Sequence, residues 1–439
     1  MNKKRSFSRI FSGWWIVLTG SFLTFWGHGY HTYGFSALFK PIASELGFSR
    51  AVTSIAASIG RLEGGFESPL SGWITDKFGP KWIVLSGVIL MSISLMLMYY
   101  IDSLWSFYIV WGIMLGTGFN VAVTLPIDTA ISNWFVKKRG TVLGIKMIFS
   151  GFSGVLVLPL IAWLIDTRDW RFTCVIGGLV MGLVGVPLVL FFLKQYRPEY
   201  YGLLPDGAKE DESLEAGGMI ERGINYAAEV EETEFTLRQA MKTPTYWLLI
   251  VTHSVHGLAS SAINIHCVPF LTDIGIDPLR AAGTMAIMIA ASIPFRPISG
   301  ILADRVKTRN LRFLLGAAYL LQGLGITVFL LNQTIAMVYI WFVLYGIGMG
   351  AGWTLTSPVR ARYFGRKAFG SIGGFSTLFL TPVGVAAPIY LGWVYDTSGN
   401  YLTGFALIAG LLILAAVVAS IFLLPPKPPA GTSDIHSIV

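Results

Sequence analysis

Charge is scarce in this sequence. Of its 439 residues 13% are Asp, Glu, Lys or Arg and 54% are hydrophobic, whereas soluble proteins carry about a quarter of their residues as charges. That shortage excludes an ordinary soluble domain. Cysteine is nearly absent as well. Cys174 and Cys267 are the only two, and both sit inside apolar blocks, so a disulfide framework is excluded. No G-x-x-x-x-G-K-[ST] run occurs, so drive by a nucleotide is not expected. Neither a nucleophile with its base nor a set of metal ligands stands out. The expectations are no enzyme, no cofactor and no metal.

Long apolar blocks fill the space instead. Ile83–Tyr100, Phe172–Leu193 and Phe405–Leu424 each approach the roughly 20 residues that carry a helix across a bilayer. They do not alternate as the strands of a membrane barrel would. The net charge of +8 then belongs to cytoplasmic loops, which collect Lys and Arg, and no nucleic-acid partner is implied. Lys3, Lys4, Arg5 and Arg9 ahead of an apolar stretch from Trp14 resemble a secretory signal. The stretch is too long and lacks a small-residue cleavage site, so it reads as the first span.

Apolar blocks between Gly, Pro and charge punctuation predict an all-α integral membrane protein of twelve transmembrane helices. They fall at 13–39, 51–75, 82–101, 104–132, 141–165, 170–194, 245–272, 281–303, 311–331, 334–358, 369–393 and 401–424. With both termini cytoplasmic, the inner side holds 24 Lys and Arg and the outer loops five, namely Lys40, Arg50, Arg168, Arg171 and Arg280. Residues 1–194 form the first six-helix half, 195–243 a cytoplasmic linker, 244–425 the second half and 426–439 a tail. The linker carries eleven acids and five bases, including Glu210-Asp211-Glu212 and the run Glu229–Glu234. Such runs read as solvated faces and partial disorder, with a short surface helix over Thr236–Met241.

The halves repeat. Gly72-x-x-x-Asp76-Lys77 returns as Gly300-x-x-x-Asp304-Arg305, and Lys138-Arg139 returns as Arg366-Lys367, each 228 residues later. Parallel six-helix repeats place a substrate site near the midplane between the halves and imply alternating access.

The run Gly72-Trp73-Ile74-Thr75-Asp76-Lys77-Phe78-Gly79-Pro80-Lys81 resembles the loop signature of the major facilitator superfamily. Gly13-Trp14, the run from Asn133 to Gly140 with Gly144, and Arg296-Pro297-x-Ser299-Gly300 look like the monocarboxylate transporters and their bacterial oxalate/formate-antiporter relatives. The resemblance implies a secondary transporter of a small organic anion, most simply a proton-linked monocarboxylate carrier. It would be a multi-pass monomer in the plasma or inner membrane bilayer. Anion exchange, proton-coupled export of hydrophobic compounds and a membrane receptor or sensor are the rival readings.

Charges inside a membrane must be paired, buried in protein or wet, so Arg61, Glu63, Glu67, Asp128, Lys146 and Arg296 mark the interior. Arg296 lies eight residues before Asp304, about 12 Å along a helix, and its planar fork suits a carboxylate. The resemblance implies an Asp at position 292, where this chain has Ser, and a cavity Lys at position 33, where it has Tyr. Tyr33 is either a hydrogen-bond donor to substrate or a packing residue. His266, Asn120 and Phe375 complete the expected substrate contacts, the last two by family analogy. His253, His256, Glu63 and Glu67 are the candidates for carrying a proton; His28 and His31 share a face of the first span. Asp76, Lys77, Asp128, Lys146, Asp304 and Arg305 are expected to gate the inner side, with Asp128 and Lys146 as an ion pair.

Overall fold

The computed structural model describes residues 11–47, 50–208, 218–229 and 232–428. The N-terminal lysines, Glu210-Asp211-Glu212, most of the tail and the side chain of Arg61 lie outside the described set.

Twelve helical spans follow one another. Span one is Ser12–Gly27, a π-helical turn His28–Tyr33 and Gly34–Glu45. Span two is Arg50–Phe78, span three Pro80–Leu97, span four Leu104–Trp134, span five Arg139–Thr167 and span six Trp170–Phe192. The second half runs through span seven, Pro244–Asp273, eight, Pro278–Arg305, nine, Leu311–Leu331, ten, Ile335–Phe364, eleven, Phe369–Ser398, and twelve, Leu402–Phe422. Ten of the helices are long and apolar enough to cross a membrane among the described residues. Span one is divided by its π turn, and span two carries Arg61, Glu63 and Glu67. With an even number of spans, both ends of the chain and the linker share one side, called here the linker side.

Several boundaries differ from the sequence reading, and span eleven runs on to Ser398. Spans one and two run on to Glu45 and Phe78, and span ten continues six residues past the predicted 358 to Phe364. The last extension carries Arg360 and Arg362 inside a helix and buries both. Cys174 and Cys267 are buried free thiols. Each half has its own packed interior, around Leu23, Trp111 and Ile127 in the first and around Phe270, Trp341 and Phe405 in the second.

Glycine decides how the halves meet. A Cβ on Gly72 would strike the backbone of Gly370, one on Gly140 the carbonyl of Gly300, and one on Gly374 the carbonyl of Ser68. Without side chains at these points, spans two and eleven, and likewise spans five and eight, approach backbone to backbone. The two contacts are related by the internal repeat. At the end of span two, Gly79 takes a left-handed φ of 84°, and Pro80 then opens span three with its preset φ.

The close seam generates a prediction. Gly140→Val pushes methyl groups into the Gly300 carbonyl and the Asp304 carboxylate, and should hold the linker side open. A cysteine placed at Ser371, which is buried at the seam, should react several-fold faster with a membrane-impermeant maleimide in that background. Unchanged labelling would show that the glycines do not set the seam.

Candidate functional site

Two carboxylates close the seam in matching fashion. Asp76 at the end of span two accepts the backbone N–H groups of Gly370 (2.9 Å) and Ser371 (2.6 Å) at the start of span eleven. Asp304 at the end of span eight accepts those of Gly140 and Thr141, both at 2.7 Å, at the start of span five. The first N–H groups of a helix have no partner within it and carry partial positive charge, so a carboxylate satisfies them. The neighbouring bases behave differently. Lys77 lies over the Trp73 and Phe78 rings of its own segment, and Arg305 is exposed.

Deeper in the seam, Lys146 on span five donates to Asp128 (2.6 Å) and to the Val123 carbonyl (3.0 Å). That carbonyl is available because span four breaks at Thr124 (φ −99°, ψ −113°), just before Leu125 and Pro126. The other oxygen of Asp128 accepts from Ser357 on span ten (3.1 Å), so the ion pair reaches across to the second half. Arg360, one turn from Ser357, donates to its hydroxyl (3.4 Å) and stacks on Phe369 (4.3 Å). The sequence reading missed Arg360 by ending span ten too early.

The linker fastens this closed side. Asp206 accepts the backbone N–H groups of Val136, Lys137 and Lys138 at 2.8–3.1 Å. Glu232 accepts from Arg139 of the first half (3.0 Å) and Arg366 of the second (3.2 Å), while Glu199 takes a second nitrogen of Arg366 (3.1 Å). Burial alone would depress the Arg366 guanidinium, but Glu232, Glu199 and Glu234 outweigh it and raise it above its ordinary value. The acidic run is therefore not wholly a solvated face, and Phe235 pairs its N–H with the Phe364 carbonyl. Beyond the expected helix, Leu237–Met241 with Thr236 as cap, the linker forms a second one, Met219–Ala228.

Arg296 is 8% exposed and faces span five across the seam. It donates to the Met147 carbonyl of span five (2.6 Å) and to Ser292 on its own helix (3.4 Å), with the Tyr33 hydroxyl nearby. Its Nε is buried without a partner. Among the described residues no acid pairs with it, and the hydrogen bonds that join the halves all lie between this group and the linker. Tyr33 reaches Arg296 because the π turn at His28–Tyr33 shifts the register of span one.

The other expected contacts lie elsewhere. Asn120 is turned toward span two, beside Gly64 and within hydrogen-bonding reach of Glu63. His266 spends both ring nitrogens inside the second half, on the Pro388 carbonyl (2.8 Å) and the Tyr401 hydroxyl (3.4 Å). Phe375 packs beside Phe379 and against the core around Tyr246. His253 meets the Thr356 hydroxyl (3.1 Å), and His256, fully buried, meets Gln322 (3.0 Å) with Trp353 and Tyr319 around it. The span-seven pair is thus packed within the second half, not at the seam. His28 bonds the Thr24 carbonyl (3.1 Å), and His31 stacks on Phe119. In span two, Glu63 accepts from Thr117 (2.7 Å), whereas both oxygens of Glu67 are buried without a partner.

Removing one member of a buried pair leaves an uncompensated charge, at a cost of about 3–5 kcal/mol. Asp128→Ala should therefore lower thermal stability sharply, and Asp128→Ala/Lys146→Ala should recover part of the loss. Strictly additive losses in a double-mutant unfolding cycle would contradict the observed contact.

Comparison with known proteins agrees with this geometry. The family model described as Major Facilitator Superfamily matches residues 17–388. Monocarboxylate transporter 13 of Rattus norvegicus is 24% identical over 404 residues, covering 92% of this chain and 87% of the relative. Monocarboxylate transporter 12-B of Danio rerio is 28% identical over 371 residues (80% and 75%), and the probable sulfoacetate transporter SauU of Cupriavidus necator 23% over 377 (81% of each). Among solved structures, the proton:xylose symporter XylE superposes with a TM-score of 0.72 at 12% identity, over 94% of this chain and 96% of its own. Helical repeats, a closed glycine seam and these matches lead to one assignment: the chain belongs to the major facilitator superfamily, and it is a transporter rather than an enzyme.

Proposed function

We propose that the protein carries a small organic anion, most simply a monocarboxylate, by alternating access across a cell membrane with the linker side cytoplasmic. The observation that supports this best is Arg296, a buried guanidinium without a paired acid, bonded to a neutral carbonyl of the opposite half. A carboxylate bonds a guanidinium more strongly than a carbonyl does and can take two of its N–H groups at once. An arriving anion would displace Met147, remove one link between the halves and favour parting of the seam. Tyr33 would then donate to the bound carboxylate. With its links gathered on the cytoplasmic side, this conformation is the outward-facing one.

Relatives named as monocarboxylate and sulfoacetate transporters fit the same chemistry, since each of those substrates presents a planar or tripodal anion. Arg296→Lys keeps the charge but loses the fork. It should reduce the thermal stabilisation by L-lactate, pyruvate or acetate by about tenfold in apparent affinity. Wild-type affinity in Arg296→Lys would overturn the role of Arg296.

The proton is assigned to Glu67. An ionised carboxylate with no partner inside the membrane costs several kcal/mol, so protonation is the economical way to bury it, with Glu63 one turn away already bonded to Thr117. Glu67→Gln should abolish accumulation driven by an imposed pH gradient while leaving counterflow exchange. Accumulation that still follows the gradient would remove Glu67 from the coupling.

A further inference from the structure

Arg360 is a buried cation that neither the repeat nor the anion site uses. It is 8% exposed on the linker-side part of span ten. Its guanidinium has one long hydrogen bond, to Ser357 (3.4 Å), a face against Phe369, and a buried Nε with no partner. A guanidinium offers five donors in a fixed fork, so most of its capacity is unspent. The acids near it belong to the first half: Asp128 reaches it through the Ser357 hydroxyl, and Asp128 and Asp76 favour its charged form through space, alongside Tyr246 of its own half.

This compensation belongs to the closed seam. Asp76 and Asp128 ride on spans two and four, while Arg360, Ser357, Phe369 and Gly373 ride on spans ten and eleven. Leu125 of the first half and the Arg360 guanidinium both press on the Gly373 site. When the halves part on the linker side, the two carboxylates withdraw with their own half. Arg360 is then left on the wall of the opening, between Arg296 and the linker-side mouth, with its fork free.

We propose that Arg360, with the Ser357 hydroxyl beside it, is a second carboxylate-binding site that operates only in the inward-facing state and receives the anion released by Arg296. The proposal rests on the anion-carrier reading above. In the outward-facing state, Asp128 and Asp76 repel an incoming carboxylate, so the site is switched off until the seam opens. A carboxylate binding there would replace the departing acids and stabilise the open form.

The test measures binding in both states, by calorimetry on protein in nanodiscs with L-lactate, pyruvate and oxalate as probes. Gly140→Val serves as the propped-open background. Arg360→Gln should weaken binding about tenfold or more in that background, and less than about twofold in the unpropped protein. Arg360→Lys, which retains the charge that balances Asp128 and Asp76, should give an intermediate loss, and it carries the test if the Gln variant does not fold. Equal loss in both backgrounds, or none when propped, would overturn the second site while leaving Arg296 standing. If none of the three anions binds the parent chains, the anion-carrier reading fails and the second site with it.

Discussion

A carboxylate against the bare N-terminus of a helix, made twice across one seam, is the contact on which the rest of the structure depends. Asp76 and Asp304 each leave their own half to accept two backbone N–H groups of the other. Neither bond could form if side chains separated the helices, and glycines at 72, 140, 300 and 370 remove them. The Asp128 pair deeper in the seam and the Glu232 bridge nearer the linker both flank that double closure. The donors are backbone N–H groups, which cannot lose their protons or rotate away, so the closure is released through the two carboxylates or by movement of a whole helix.

The linker adds an interaction of a different kind. Arg139 and Arg366 are bases from opposite halves, each from one of the repeated basic pairs, and left alone they would repel. Glu232 stands between them and converts the repulsion into a bridge. A pair of like charges thus becomes an adhesive only while a third segment is present, which makes the linker part of the closed state and not merely a tether. Removing two buried guanidinium groups from water is costly unless they are paired, so the closed form requires the strap.

Much of this was legible in the sequence. Length and apolarity give the number of spans, and the 228-residue offset picks out Asp76 and Asp304 as equivalents. The pairing of Asp128 with Lys146 follows from depth alone, since both lie a few residues from the same ends of neighbouring helices. Depth, however, is only one coordinate. Asn120 and Phe375 are expected at one height and His266 higher in its span, yet the angle each presents around its helix depends on neighbours that no single span encodes. Glu232 was unreadable for the same reason, because its partners lie 93 and 134 residues away. Arg360 was lost at a boundary: its helix outlasts its apolar run, and protein rather than lipid covers the extension.

One asymmetry between the halves carries a mechanical consequence. All four π-helical segments among the described residues, at His28–Tyr33, Tyr108–Leu115, Ser153–Val157 and Met181–Gly185, fall in the first half. A π turn has a wider bore and poorer hydrogen bonds than the α-helix around it, so its spans can shorten or rewind by a residue at little cost. The second half, built of α-helices of 21 to 30 residues, has no such turn among the described residues, and its slack is confined to the prolines inside spans seven, eight, ten and eleven. Rocking in this molecule is then not the motion of two equal levers. A stiff block swings against a compliant one, and the compliance is stored where Tyr33 and Met147 meet Arg296.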